Sequence, residues 1–242
     1  MFLFVFNSNF ILVLHCMLVN VLFFFCFMHI LKAILFSLSS SFYSKVFGIV
    51  IFILLSAISF LGYILPLGQM SFWGATVILN LLSVAPFYDN FYLYIFGDFS
   101  FNTVTVSRIF TLHFFLPFVL LFFVVVHLFF LHLNLSSNNL NLASLYFVYF
   151  FPTILMIDFF FFFIILFIIF FFFFLNSYYF YEKLNFNLMN NLVTPIHIVP
   201  EWYFLFFYCI LKLFANKTVG VIFMILSFGF IFSLLFNNYY KF

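Results

Sequence analysis

Charge is what this sequence has least of. Of 242 residues only 5% are charged, seven Lys or Arg and five Asp or Glu. About a quarter of a soluble domain is charged, so a water-facing globular surface is excluded. Polar and apolar residues do not alternate along the long apolar runs, which argues against the strands of a membrane barrel. Cysteine is scarce too. Cys16, Cys26 and Cys209 show no CxxC or other metal spacing and lie in apolar runs, as inert buried thiols do. No Lys or Arg precedes Lys32, so the N-terminus has neither a basic n-region nor an Arg-rich targeting face. The net charge of +2 identifies no partner, and no nucleic-acid contact is expected.

What is present is apolar bulk. The chain is 69% hydrophobic, holds 53 Phe and has a mean hydropathy of +1.37. Runs such as "FFFFFIILFIIFFFFFL" (Phe159 to Leu175) are apolar on every side. In lipid only helices and closed barrels satisfy the backbone, so the expected fold is an all-α polytopic transmembrane helix bundle. A span needs about 20 apolar residues. Five candidates run from about Phe10 to Ser37, Val46 to Leu65, Val106 to Leu133, Pro152 to Asn176 and Val219 to Phe236. Two longer connections, Gly68 to Thr105 and Ser177 to Gly220, are amphipathic and predict short helices at the membrane surface. Because spans alternate in direction, both connections belong to one side. Residues 1–137 and 138–242 are expected to form two parts of one integrated membrane domain.

Four histidines form a pattern. His15 and His29 lie fourteen apart on the first span, and His113 and His127 fourteen apart on the third. Fourteen helical residues are about 3.9 turns and a rise of about 21 Å. Each pair therefore shares one face at two depths. Parallel spans bring His15 level with His113, and His29 level with His127. Neutral imidazole is the common ligand to haem iron, so two such levels would hold two six-coordinate haems. A lone intramembrane His can instead bond a neighbouring helix; two pairs at one spacing favour ligation. Gly48 and Gly62, also fourteen apart, would let flat porphyrin edges approach the second span.

With its histidines and glycines so spaced, the chain resembles the cytochrome b family, the dihaem, quinone-handling subunit of the respiratory cytochrome bc1 complex. "FLGYILPLGQMSFWGATVI" (Phe60 to Ile78), "HFFLPFVLLFFVVVHLFFLH" (His113 to His132) and "TPIHIVPEWYFLFFYCIL" (Thr194 to Leu211) are similar to family segments, the last carrying its PEWY signature. The resemblance implies a quinol-oxidising pocket in which Glu201 accepts a proton, Pro200 sets the turn and Tyr203 lines the wall. It implies that Phe60, Trp73 and Gly74 shape the same pocket. It places His132 and Asp158 beside a second, quinone-reducing site, where ordinary helix capping is the competing reading. "SSNN" (Ser136 to Asn139) resembles the polar turn that follows that His. Arg108 would face a haem propionate or serve as a snorkelling anchor.

The implied function is ubiquinol–cytochrome c reduction within complex III of the mitochondrial inner membrane, with two haem b and ubiquinol or ubiquinone as substrate. The implied partners are the iron–sulphur (Rieske) protein, cytochrome c1, the other subunits of a dimeric complex, and lipid. A dihaem anchor of another quinone-linked oxidoreductase would need the histidines but not the PEWY segment. A haem-free structural remnant would not need to retain all four histidines. The five spans match the second to sixth helices of the family's eight, leaving open whether separate chains supply the others. Leu12, Leu67 and Ile157 depart from the Arg, Trp and Lys usual at those places.

Overall fold

The computed structural model describes residues 2–35, 42–84, 88, 93–94, 97, 102–133, 148–176 and 182–236. The helices are α1 (Phe2–Leu35), α2 (Phe42–Ile64), α3 (Gln69–Leu82), α4 (Thr103–Leu133), α5 (Leu155–Asn176), α6 (Leu205–Leu213) and α7 (Lys217–Phe236). A π turn (Phe150–Ile154) leads into α5, and short 3-10 turns cover Lys183–Phe186 and Trp202–Phe204. Among the described residues no strand forms beyond one bridge between Gly68 and Leu188.

Among the described residues five helices are long and apolar enough to cross a membrane: Ile11–Leu35 of α1, α2, α4, Phe150–Phe171 and α7. They correspond to the five expected spans. The short helices α3 and α6 fall in the two long connections. "SSNN" lies outside the described residues. Local sequence starts the helices where polar residues are available. Asn102 Oδ1 accepts the N–H groups of Val104 (2.9 Å) and Thr105 (3.1 Å) at the head of α4. Asn216 Oδ1 accepts the N–H of Thr218 (3.0 Å) at the head of α7. Each satisfies a backbone donor that the first turn leaves without a partner.

The chain divides into two compact units, Met1–Met28 with Ser137–Glu182, and His29–Ser136 with Lys183–Phe242. In the first, Val13 and Met17 are buried against Leu14 and Ile169. Phe159 to Phe163 of α5 are all exposed there. Exposed Phe in a span suits hydrocarbon, which accepts almost any apolar side chain.

In the second unit Phe does pack. Phe47 stacks on Phe130 (5.4 Å, 9°) and Tyr43 on the same ring (5.1 Å, 27°). Phe207 of α6 lies flat on Phe228 of α7 (3.7 Å, 3°). Ile64, Ala75, Leu79 and Ile109 form the core where α2, α3 and α4 meet. Pairings along α2 and α4 run in opposite directions, Tyr43 with Phe130 near one end and Ile64 with Ile109 near the other. The two helices are therefore antiparallel.

Candidate functional site

The antiparallel register of α2 and α4 sets two histidines over two glycines. His127 Nδ1 lies 2.8 Å from the Ser44 carbonyl, and His113 Nδ1 lies 3.0 Å from the Ile58 carbonyl. A carbonyl can only accept, so Nδ1 carries the hydrogen in both rings. That leaves Nε2 with the lone pair, the form in which imidazole binds a metal. Each accepting carbonyl is one turn before a glycine, Ser44 before Gly48 and Ile58 before Gly62. A Cβ on Gly48 would sit 3.3 Å from His127 Cε1, and one on Gly62 only 2.6 Å from His113 Cε1. The space beside each glycine is thus taken by an imidazole, a use of glycine that the spacing alone did not reveal.

His29 completes the arrangement at one level. Its ring centroid is 6.5 Å from that of His127, with the planes 75° apart. A metal–imidazole bond is about 2 Å. Centroids 6.5 Å apart leave room for two such bonds end to end. Two imidazoles, one with its tautomer fixed by a backbone carbonyl, would suit a metal or cofactor that takes nitrogen ligands. His15 belongs to the first unit and is exposed.

The second constellation is a cavity of about 300 Å³ within the second unit. Phe60 and Tyr63 of α2, Gly74 of α3, Pro200 and Glu201 of the loop and Tyr208 of α6 all line it. Its wall is nearly all apolar, and Glu201 is the one acid among the lining residues. Glu201 is half-buried and its side chain does not cap the turn that follows. Tyr208 donates its hydroxyl to the Ile198 carbonyl (2.9 Å), tying the loop to α6. A carboxylate in an apolar chamber of this size can receive a proton from a bound molecule. With so few competing polar groups, that molecule is held mainly by shape and apolar contact.

The remaining expected residues fall as follows. Tyr203 is buried, with its ring 4.7 Å from that of Phe204, and Trp73 stands edge-on to Phe72. Neither is among the residues lining the cavity. The buried Trp73 indole N–H has no acceptor among the described residues. Arg108 donates to the Tyr94 carbonyl (2.5 Å) and the Leu93 carbonyl (3.4 Å), which joins α4 to the preceding connection. His132 is exposed in the last turn of α4, and Asp158 is exposed in the first turn of α5.

Sequence reasoning missed Tyr63 and Tyr208 as cavity residues. Tyr208 stands seven residues after Glu201, two helical turns on, a spacing that could have found it. It also missed a polar clamp beside the cavity. Gln69 Nε2 donates to the Val193 carbonyl (2.5 Å) and Gln69 Oε1 accepts the Asn190 N–H (2.6 Å). Ser71 donates its N–H to Asn185 Oδ1 (2.9 Å) and its hydroxyl to the Tyr63 carbonyl (2.6 Å).

The helices and these two constellations define a multi-pass, all-α membrane protein with a histidine pair between helices and an acid-bearing apolar cavity beside them. Residues 2–135 match the family model described as Cytochrome b/b6/petB, and residues 188–241 match Cytochrome b(C-terminal)/b6/petD. The chain belongs to the cytochrome b/b6 family. It is 43% identical to cytochrome b of Apis mellifera ligustica over 193 residues, 79% of this chain and 50% of that protein. It is 39% identical to cytochrome b of Plasmodium berghei over 221 residues, 91% of this chain and 58% of that protein. A solved chain from "Hyperthermophilic respiratory Complex III" aligns with a TM-score of 0.83 at 26% identity, covering 92% of this chain and 61% of that one. The chain spans about half the length of the curated relatives it matches.

Proposed function

We propose that this chain is the cytochrome b subunit of a ubiquinol–cytochrome c reductase, oxidising quinol in the Glu201 cavity and passing electrons across the membrane. The observation that carries this reading is a single carboxylate on the wall of an apolar cavity of about 300 Å³, in the same compact unit as the His29–His127 pair. A quinol that gives one electron to the partner iron–sulphur protein and one to the haem level must also lose two protons. Glu201 takes one of them as general base and the other is released to water at the same membrane face, while Phe60, Gly74 and Pro200 confine the ring. Trp73 and Tyr203 serve the same pocket in this reading without lining it.

His29 and His127 are proposed to hold one haem b, with the carbonyl of Ser44 orienting His127. By their spacing, His15 and His113 form the corresponding second pair. When bound, haem b supplies one-electron carriage. Arg108, His132 and Asp158 are secondary in this reading, Arg108 for an anionic haem edge and the other two for quinone reduction. Assembly with an iron–sulphur protein, cytochrome c1 and further subunits in a dimeric complex of the mitochondrial inner membrane is part of the same proposal.

The experiment is to isolate the assembly that contains this chain. Its reduced-minus-oxidised spectrum and its ubiquinol-dependent cytochrome c reduction are then recorded together. Two b-type haems per chain and quinol-dependent turnover are expected. A chain devoid of haem in an assembly that does not oxidise quinol would overturn the reading.

A further inference from the structure

The clamp that joins the start of α3 to residues 185–193 lies outside the cavity wall, and neither proton nor electron transfer uses it. Its polar groups are out of water: Gln69 is 8% exposed, Ser71 0% and Asn185 6%. Buried amides need partners, and here the partners come from more than a hundred residues away. The Gln69 side chain acts like a peptide group. It accepts the Asn190 N–H, donates to the Val193 carbonyl and reaches the Asn190 carbonyl at 3.4 Å. The main chain adds Gln69 N–H to the Asn187 carbonyl (3.0 Å) and Met189 N–H to the Leu67 carbonyl (3.2 Å). Leu67 itself has φ of +54°, a conformation a bulky residue rarely adopts. Such a residue persists where its surroundings over-determine it.

Both sides of this clamp lead within a few residues to the cavity wall. Gly74 is five residues beyond Gln69 along a rigid helix. Ile198, whose carbonyl Tyr208 holds, is five residues beyond Val193. The segment leading to Glu201 is therefore pinned at two points, by Gln69 at Val193 and by Tyr208 at Ile198. Only four residues, 194–197, separate the two pins, so a shift at either one is passed on to the loop. We propose that Gln69 is a positioning residue for quinol oxidation. Its side-chain amide fixes where the Glu201 loop begins relative to α3, and so sets the gap in which quinol lies. This inference rests on the reading of the cavity as the quinol-oxidising site.

The test uses the assembled complex carrying Gln69→Leu or Gln69→Glu, with decylubiquinol as substrate and a short-chain ubiquinone as equilibrium ligand. Leu removes every side-chain bond of the clamp. With haem content unchanged, KM and the ubiquinone Kd should rise on the order of tenfold or more, since small misplacements of a binding wall are costly. Glu is a reporter. Protonated, it donates to the Val193 carbonyl and accepts the Asn190 N–H as Gln does; ionised, it faces two carbonyl oxygens. The ratio of its KM to the wild-type KM at the same pH should fall toward one as pH falls, and taking the ratio removes any pH dependence the two proteins share. If the Leu variant loses its haem, the Glu variant alone decides. A wild-type KM in the Leu variant, or a Glu ratio that is flat with pH, overturns the inference. A wild-type complex with no quinol oxidation and no ubiquinone binding would instead bring down the functional reading, and this inference with it.

Discussion

His127 lies with Nδ1 2.8 Å from the backbone carbonyl of Ser44, one turn before the glycine whose missing side chain makes room for the ring. His113 repeats the relationship fourteen residues away, at 3.0 Å from the carbonyl of Ile58. The orientation of both rings on α4 is thus dictated by the backbone of α2. Partners of this kind fix the tautomer and aim of a metal-binding imidazole. A backbone acceptor has no side chain that a substitution could remove, so the glycines are the points where the arrangement can be broken.

Gly62→Ala should be more damaging than Gly48→Ala. The added methyl would stand 2.6 Å from His113 Cε1 in the first case and 3.3 Å from His127 Cε1 in the second. The closer approach forces the imidazole off its carbonyl, whereas the looser one requires a shift of a few tenths of an ångström. Disturbing such supporting partners typically costs 10–100-fold in metal affinity. Haem per chain, measured by difference spectrum in both variants, is expected to be lower in Gly62→Ala. Equal haem in the two variants, or the opposite order, would contradict this account.

Replacing His127 with Leu should abolish one haem and leave the other. Its partner ring is His29, at 6.5 Å between centroids, and Leu keeps bulk beside Gly48 while removing the ligand nitrogen. About half of the b-type absorbance is expected to remain. Loss of all haem with the protein still assembled would show that the two levels are not independent.

The spans are legible in the sequence because the signal is local: about twenty apolar residues need no distant information to be read. The histidine spacing is legible for the same reason, as each pair lies on one helix. What the sequence does not reveal is what helices do to one another. The spacing of Gly48 and Gly62 suggests seats for porphyrin edges, yet the register of α2 on α4 puts an imidazole over each. Trp73 and Tyr203 carry the right motif, but their rings turn toward Phe72 and Phe204. Gln69, Asn185 and Ser71 stand in polar positions that any surface turn could have. Their role exists only because residues 185–193 return to the start of α3.

That return makes Gly68→Ala a stability prediction. Gly68 has φ of −76°, which any residue can adopt, so its glycine is needed for space and not for conformation. A Cβ there would overlap both the side chain and the backbone carbonyl of Asn185. A side chain could swing away; a carbonyl held in the clamp cannot. Overpacking of this kind typically costs about 1–3 kcal/mol. The expected outcome is a lowered thermal midpoint of the assembled protein in detergent, with the hydrogen bonds between Ser71 and Asn185 broken. Adding Asn185→Ala would relieve part of the overlap but leave the backbone carbonyl in place, so it should fail to restore the midpoint. Full restoration would mean that the amide side chain was the only obstacle.

Glu201→Gln tests the chemistry. Gln has the shape of Glu and cannot take up a proton at neutral pH, so the cavity wall, the Tyr208–Ile198 tie and the Gln69 clamp should all persist. Glu201 does not cap the turn after it, and helix α6 therefore loses no hydrogen bond at its head. Haem content and assembly should be those of the wild type. Quinol oxidation should slow by about 10²–10⁴-fold, the usual worth of a general base. The limb of the pH–rate profile in which a carboxyl must ionise should disappear. The direction follows from the role: a base works only when deprotonated, so the wild-type rate should be lower in acid, and the Gln variant should lack that dependence. Saturation kinetics separate this loss from a binding defect, because KM should change far less than kcat. If the rate instead fell only in proportion to assembled protein, Glu201 would be structural. An unchanged rate would pass the proton to another group, Ser56, Tyr63 and Tyr208 being the other hydroxyl-bearing side chains that line the cavity.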